Sequence, residues 1–284
     1  MKKIIAMLLA LVMVCALAAC GGETTTAPTT EPTTAPTTQP SDPTDPTNAT
    51  DPTAPTDPEF NPLAKDEGTM TYAEYAAAEL DEAVVVECFV QATQGWYEKD
   101  GQGVITVYAQ DPEGAYFMYN MACSQEDSTK LVPGTKIKVT GYKAAYKGEV
   151  EIVDCTFEIM EGNWIAEATD VTDLLASEDL INYQNMFAAI KNAKVVASVD
   201  ANGNEVAFLY NWNGSGTPGN DLYFNIEVNG VVYNMCVESY LCGDGTAVYD
   251  AVEALTIGAM INIECFLYWY DTVNPHVTGV EVIG

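Results

Sequence analysis

Past residue 83 the apolar positions recur every second residue in short runs, and Gly, Asn, Asp and Pro punctuate the runs. That is the signature of strands joined by tight turns. The pattern predicts strands at 84–94, 103–110, 115–122, 136–143 and 149–159, with Asp111-Pro-Glu-Gly114 turning between the second and third. A second set follows at 194–200 with an extension at 205–210, then 222–228, 231–238, 261–268 and 276–283. Asn229-Gly230 is a two-residue hairpin turn, because both residues tolerate positive φ. Helical spacing is sparse. It predicts short helices over Thr71–Leu80, over Ser124–Leu131, and over Thr246–Leu255, where Val248, Val252 and Leu255 share a face. The stretch Asp173–Lys191, with Leu174, Leu175, Leu180, Ile181, Met186, Phe187 and Ile190, reads as a helical connector.

The two sets of strands are copies. Leu131-Val-Pro-Gly134-Thr-Lys-Ile137-Lys-Val139-Thr-Gly-Tyr142 aligns with Leu255-Thr-Ile-Gly258-Ala-Met-Ile261-Asn-Ile263-Glu-Cys-Phe266, and Tyr119-Asn120-Met121 aligns with Tyr233-Asn234-Met235. A repeat this long predicts two domains of one type rather than a solenoid. One strand, a hairpin, a helix and a second hairpin resembles the OB-fold, a five-stranded Greek-key barrel. The resemblance implies a mostly β protein of two tandem OB-like barrels with short flanking helices. A pair of small β-sandwiches is the competing architecture, and the helix before the fourth strand argues against it. The expected boundaries are 61–162 for the first barrel, 163–190 for the connector and 191–284 for the second barrel.

The N-terminus is of another kind. Lys2-Lys3 precedes sixteen apolar residues, Ile4 to Ala19, and then Cys20-Gly21. A basic start, an apolar run and small residues before a cysteine describe a signal peptide over 1–19, too short for the roughly 20 residues a bilayer span needs. Leu17-Ala18-Ala19-Cys20 resembles the lipobox of bacterial lipoproteins. That resemblance implies lipidation of Cys20 and anchoring to the outer face of the cytoplasmic membrane. Residues 20–60 then read as a disordered tether. From Glu23 to Pro58, 14 of 36 residues are Thr and 9 are Pro, with no aromatic residue and no aliphatic one larger than Ala. Such a segment has nothing to bury against its ordering entropy. At about 3.1 Å per residue it reaches roughly 110 Å.

Charge narrows the partners. The chain carries 41 acidic residues, 11 Lys and no Arg, for a net charge of −30. A phosphate-tracking protein needs a basic footprint, so nucleic acid is disfavoured. Cys88, Cys155 and Cys265 fall inside strand-like runs, where a thiol serves as a small apolar side chain. The six cysteines Cys88, Cys123, Cys155, Cys236, Cys242 and Cys265 are expected to be free, although an even number outside the membrane also permits disulfides. No C-x-x-C pair, EF-hand loop or phosphate loop occurs, and His276 is the single histidine. Neither metal, cofactor nor catalysis is expected.

Two features remain as candidate chemistry. In OB barrels ligands lie across strands two and three, between the loop joining strands one and two and the loop joining strands four and five. Those loops hold Trp96, Tyr97, Tyr142 and Tyr146 in the first repeat, and Trp212, Tyr268, Trp269 and Tyr270 in the second. Flat rings there either stack on a ligand in two related clefts, one per barrel, or seal the barrel ends. Lys130, Lys136, Lys138, Lys143 and Lys147 lie within 18 residues, while 195–284 has no Lys and 11 acidic residues. The patch Lys136, Lys138, Lys143 and Lys147 is either a solvated strand face or a dock for barrel two or an anionic wall polymer. The sequence thus predicts a monomeric, non-catalytic surface lipoprotein that binds a glycan, wall polymer, peptide or envelope protein. A structural component of the envelope and a single-strand nucleic-acid binder are the alternatives.

Overall fold

The computed structural model describes residues 60–283. The signal peptide, Cys20 and the Thr/Pro tether lie outside the described residues. The described residues fall within one compact unit.

Ten long strands build two closed barrels. The first consists of β1 (Ala83–Thr93), β2 (Gln102–Asp111), β3 (Gly114–Ala122), β4 (Thr135–Tyr146) and β5 (Glu149–Asn163). β1 pairs with both β2 and β4, β2 with β3, and β4 with β5; a parallel contact of Met118 with Ile152 joins β3 to β5 and closes the ring. The second consists of β6 (Phe187–Val196), β7 (Leu222–Val228), β8 (Val231–Val237), β9 (Met260–Phe266) and β10 (His276–Val282). It closes the same way, through β6–β7 and a parallel contact of Cys236 with His276. Strand order 1-2-3-5-4-1 with a parallel closure is OB topology. The protein is mostly β, with two OB-like barrels.

The repeat is visible in backbone detail. Gly134 and Gly258 both have φ +93°, a conformation side chains resist. Each donates its N–H to the first strand of its barrel, Gly134 to Val90 O at 2.7 Å and Gly258 to Val195 O at 2.8 Å. The preceding leucines, Leu131 and Leu255, are buried in their respective cores. So the matched segments are the turns that aim β4 and β9 back across β1 and β6.

Short helices sit where the apolar spacing put them. α1 (Tyr72–Ala77) starts with a reciprocal capping box between Thr71 and Glu74. α2 (Gln125–Ser128) is capped by Ser124, and α3 (Ala247–Glu253) by Thr246. α3 buries Val248, Tyr249 and Val252 in the second core. Among the described residues the six cysteines are unpaired, and five of them are buried.

The connector differs from expectation. Residues 163–190 hold a two-residue strand, Thr169–Asp170, and two 3₁₀ turns, Thr172–Leu174 and Glu178–Tyr183, and they run into β6 itself. The first strand of barrel two therefore begins at Phe187, not at 194, and the expected domain start at 191 falls inside it. The reason is a bulge. Ala193 pairs with Ile261 and Ile190 with Ile263, so β6 spends one extra residue, and Asn192 takes φ +53° there. With Ala188, Ala189, Ile190, Ala193 and Val195 all buried, the apolar spacing loses its alternation and imitates a helix.

A fragment 191–284 lacks Phe187–Ile190, the residues that pair with Ile263–Phe266. It is expected to show no cooperative thermal transition by circular dichroism, whereas 166–284 should melt cooperatively. Failure of both fragments beside a cooperative full chain would mean that barrel two depends on barrel one for its core.

Candidate functional site

The barrels meet along an aromatic seam. Tyr108 of β2, fully buried, stacks on Phe266 of β9 with ring centroids 4.7 Å apart, and its hydroxyl lies 2.7 Å from His276 Nδ1. Phe117 of β3 meets Tyr268 edge-on at 5.4 Å, and Tyr268 stacks on the His276 ring at 4.3 Å. Gln94 Nε2 donates to the Tyr108 hydroxyl at 3.3 Å, leaving that O–H to donate to a neutral imidazole. Burial keeps His276 neutral, lowering it to about 4. Backbone contacts lengthen the seam: Gly95 N–H donates to Tyr240 O at 3.0 Å, and Phe187 N–H to Gln110 Oε1 at 2.9 Å.

A second set of contacts joins the loops between strands four and five of the two barrels. Glu149, at the start of β5, is completely buried, and its Oε2 accepts from Trp269 N–H at 2.8 Å. Gln184 Nε2 donates to Gly148 O at 2.8 Å. Lys147 pairs with Asp271 at 3.1 Å and lies over the Tyr270 ring, while Tyr146 meets Tyr270 edge-on at 6.1 Å. Burial is the dominant influence on Glu149 and pushes its carboxyl up to about 8, against the pull of the Trp269 N–H.

Beside the seam the surfaces part into one cleft of about 1050 Å³. Barrel one supplies Tyr97, Phe117 and Tyr119; barrel two supplies Trp212, Tyr240 and Tyr270 at the sides and Asp221, Glu238 and His276 deeper in. It covers the face of β7 and β8 between their flanking loops, where OB barrels hold ligands. The expectation that the loop rings line two related clefts is corrected: those that meet this cavity, Tyr97 of barrel one and Trp212, Tyr268 and Tyr270 of barrel two, line the same one, shared by the barrels.

The eight loop aromatics accordingly divide. Tyr97, Trp212, Tyr268 and Tyr270 line the cleft. Trp96 turns inward, packs on the first core and donates its indole N–H to Cys123 O at 2.9 Å. Trp269 packs against the second core. Tyr142 and Tyr146 are about half exposed and lie outside the cleft lining. Sequence reading missed Tyr119, Asp221, Tyr223, Glu238 and Tyr240; the β-strand period that places 221 and 223 on one face was the available signal.

The lysine patch is corrected too. Lys136 is buried, pairing with Glu87 at 2.8 Å and donating to Ala64 O at 3.0 Å. Lys143, also buried, donates to the carbonyls of Tyr75, Ala76 and Ala78 at the C-terminal end of α1. Lys138 faces Glu87 and Asp66. Only Lys147 reaches barrel two. These side chains do point out of the barrel core, but residues 60–78 fold over them, so no basic face is left to dock a polymer. Among the described residues no group of three or more His, Cys, Asp or Glu is placed to hold a metal ion.

The seam generates a pH dependence. An acid held at about 8 in the fold keeps its proton while the unfolded chain, near 4.5, loses it. Folding then binds a proton, so the Glu149 contribution to stability is full below pH 4.5 and is lost as pH rises through 8. His276 acts on the other side, its contribution present above 6.5 and lost as pH falls through about 4. Glu149→Gln removes the first effect. Its melting temperature relative to wild type should climb between pH 5 and pH 8.5 by several degrees, on the order of 2–4 °C per kcal/mol for a domain of this size. A constant difference across that range would show that Glu149 ionises freely in the fold.

No protein-family model matches the sequence, and no curated protein matches it. Among solved structures the chain resembles a murine DNA-binding protein bound to double-stranded DNA, at 9% identity and TM-score 0.34, over 70% of this chain and 96% of that one. It also resembles the Ifi202 HINa domain in complex with double-stranded DNA, at 10% identity and TM-score 0.32, over 72% and 96%. A third is a replication protein A heterotrimer bound to single-stranded DNA, at 10% identity and TM-score 0.31, over 72% of this chain and 52% of that one.

Proposed function

We propose that this protein is an exported, lipid-anchored binding protein without catalytic activity, and that its ligand seat is the cleft between its barrels. The observation that carries the reading is the cleft itself. Tyr97, Tyr119, Trp212, Tyr240 and Tyr270 remain 42–71% exposed around a concave space in a chain whose other large rings are mostly packed away. Exposed rings converging from both barrels suit a ligand with flat apolar faces, and the carboxylates deeper in suit its hydrogen-bond donors. A glycan of the wall, a peptide or an envelope protein meets that description. The non-catalytic part is supported by His276, whose Nδ1 is engaged by the Tyr108 hydroxyl and which is 6% exposed.

A nucleic-acid reading is favoured by one observation, the placement of stacking rings on the face where OB barrels hold single strands. Against it, no lysine lines the cleft and the chain carries −30. Phosphates would meet repulsion with no counterion release to offset it.

The discriminating experiment is an array of wall glycans and peptides probed with the full chain, with low-salt oligothymidine as a separate arm. Trp212→Ala should weaken capture by about 1–3 kcal/mol, the range for loss of a stacking ring, with melting unchanged. Trp96→Ala should instead cost about 3–5 kcal/mol of stability, as buried aromatics do. Oligothymidine capture that Trp212→Ala weakens would replace the glycan or peptide reading with the nucleic-acid one. No capture in any arm would leave the rings as a scaffold surface.

Anchoring has its own test. Cys20→Ala should move the protein from the membrane fraction to the medium, because stable anchoring needs two acyl chains. Retention of the variant in membranes would contradict lipidation at Cys20.

A further inference from the structure

The barrel-two end of the cleft has a specific chemistry. Leu222 pairs with Val237 and Tyr223 with Cys236 across β7 and β8, and Asp221 and Glu238 flank the end of that ladder, one on each strand's continuation. By the strand period these two acids share the face of Tyr223 and Cys236, and all four line the cleft. Two acids held near one another repel, and the Asp221 charge is felt at Glu238. Here nothing inside the protein neutralises them: among the described residues neither carboxylate has a lysine partner. Hydrogen bonds do hold them in place. Ser239 donates to Asp221 Oδ1 through its N–H at 2.9 Å and its hydroxyl at 2.6 Å, and Leu241 N–H donates to Glu238 Oε2 at 2.8 Å.

Two rings adjoin this pair. Trp212 and Tyr240 are the most exposed of the large apolar and aromatic residues, at 70% and 71%. Each is tethered one residue away from an acid. Asn211 N–H donates to Asp221 O at 2.7 Å, and Leu241 is the residue bonded to Glu238. The lysines near the cleft do not reach this end, since Lys99 lies over Tyr119 and Lys147 over Tyr270.

We propose that this end of the cleft seats an organic ammonium group, held between the Asp221 and Glu238 carboxylates and the rings of Trp212, Tyr223 and Tyr240. The inference rests on the cleft being the ligand site and adds the charge of what it takes. Rings alone would hold a neutral sugar. A pair of acids among rings calls for a cation, which relieves their repulsion and is attracted by the ring faces. Burial, with the Asp221 charge adding to it, raises Glu238 to about 7, the shift expected of a carboxyl kept near a second acid without a counterion. The strongly negative chain also concentrates cations around it. The ammonium is either a small quaternary amine or the primary amine of an amino-sugar polymer.

The test pairs each cation with its neutral match, using the full chain in low salt and following the Trp212 indole resonance. Choline is compared with 3,3-dimethylbutan-1-ol, and a glucosamine tetramer with its N-acetylated form. At least one ammonium probe should bind about tenfold tighter than its match, the scale of a partly desolvated cation–ring contact. Choline preference identifies the small-molecule source, and tetramer preference the polymer. Asp221→Asn with Glu238→Gln should bring the ratio to near one, and Tyr240→Ala, at an exposed position that the fold does not need, should lower ammonium affinity severalfold. A ratio near one in the wild type, with binding of both members still weakened by Trp212→Ala, would overturn the ammonium proposal and leave the cleft reading standing. No shift of Trp212 with any probe would overturn both.

Discussion

The contact between the Tyr108 hydroxyl and His276, inside the stack of Tyr108, Phe266, Phe117 and Tyr268, fixes one barrel on the other. Each aromatic pair is worth about 0.5–1.5 kcal/mol beyond its buried area. Because the rings come alternately from β2 and β3 of barrel one and from β9 and the loop after it in barrel two, neither barrel completes the cluster alone. The cleft exists because the seam stops. Where Tyr108 and Phe266 give way to Tyr97, Trp212 and Tyr240, the surfaces diverge and leave the rings wet. The geometry of the candidate site is thus set by packing, and its chemistry by what lines the gap.

Polar groups are spent economically around that frame. The lysines of β4 neutralise Glu87 and end α1, so the few positive charges of a strongly acidic chain stabilise barrel one from within. A buried pair such as Lys136–Glu87 adds little net stability over an apolar pair, but it gives residues 60–69 a defined place over β1. Barrel two has only Lys191 and Lys194 near its start and none later, and among the described residues Asp271 is its one acid with a lysine partner, Lys147 of barrel one. Glu149 is the exception on the barrel-one side: a carboxyl buried to hold the Trp269 backbone, at the cost of resisting ionisation.

Strand positions were readable where alternation was clean. β3, β7 and β8 stand almost where the pattern put them, and the matching glycines at 134 and 258 mark the same turn in both repeats. β6 was misread as part of a helix because its bulge at Asn192 broke the period. The lysines of β4 were read correctly as pointing outward and wrongly as exposed, since no local pattern reveals that residues 60–78 return to cover them. Of the cleft, the loop rings Tyr97, Trp212, Tyr268 and Tyr270 were legible from OB loop positions. Tyr119, Asp221, Glu238 and Tyr240 were not: Tyr119 borders the cleft only because barrel two stands beside it, and Asp221, Glu238 and Tyr240 sit at or beyond strand ends, where alternation gives no warning of a cavity.

The sequence by itself determined the two copies, their strands and turns, and the acidity of the whole, because these depend on periodicity, turn residues and counting. Tertiary structure decided that loop rings of both barrels line a shared cleft, that Trp96 and Trp269 pack inward while Trp212 stays exposed, and that Asp221 and Glu238 adjoin the cleft with no lysine partner among the described residues. The shared cleft turns on contacts between residues more than a hundred positions apart, such as Tyr108 with His276, and the others on side-chain packing that periodicity does not encode. No window of local sequence carries the distance between two closed barrels.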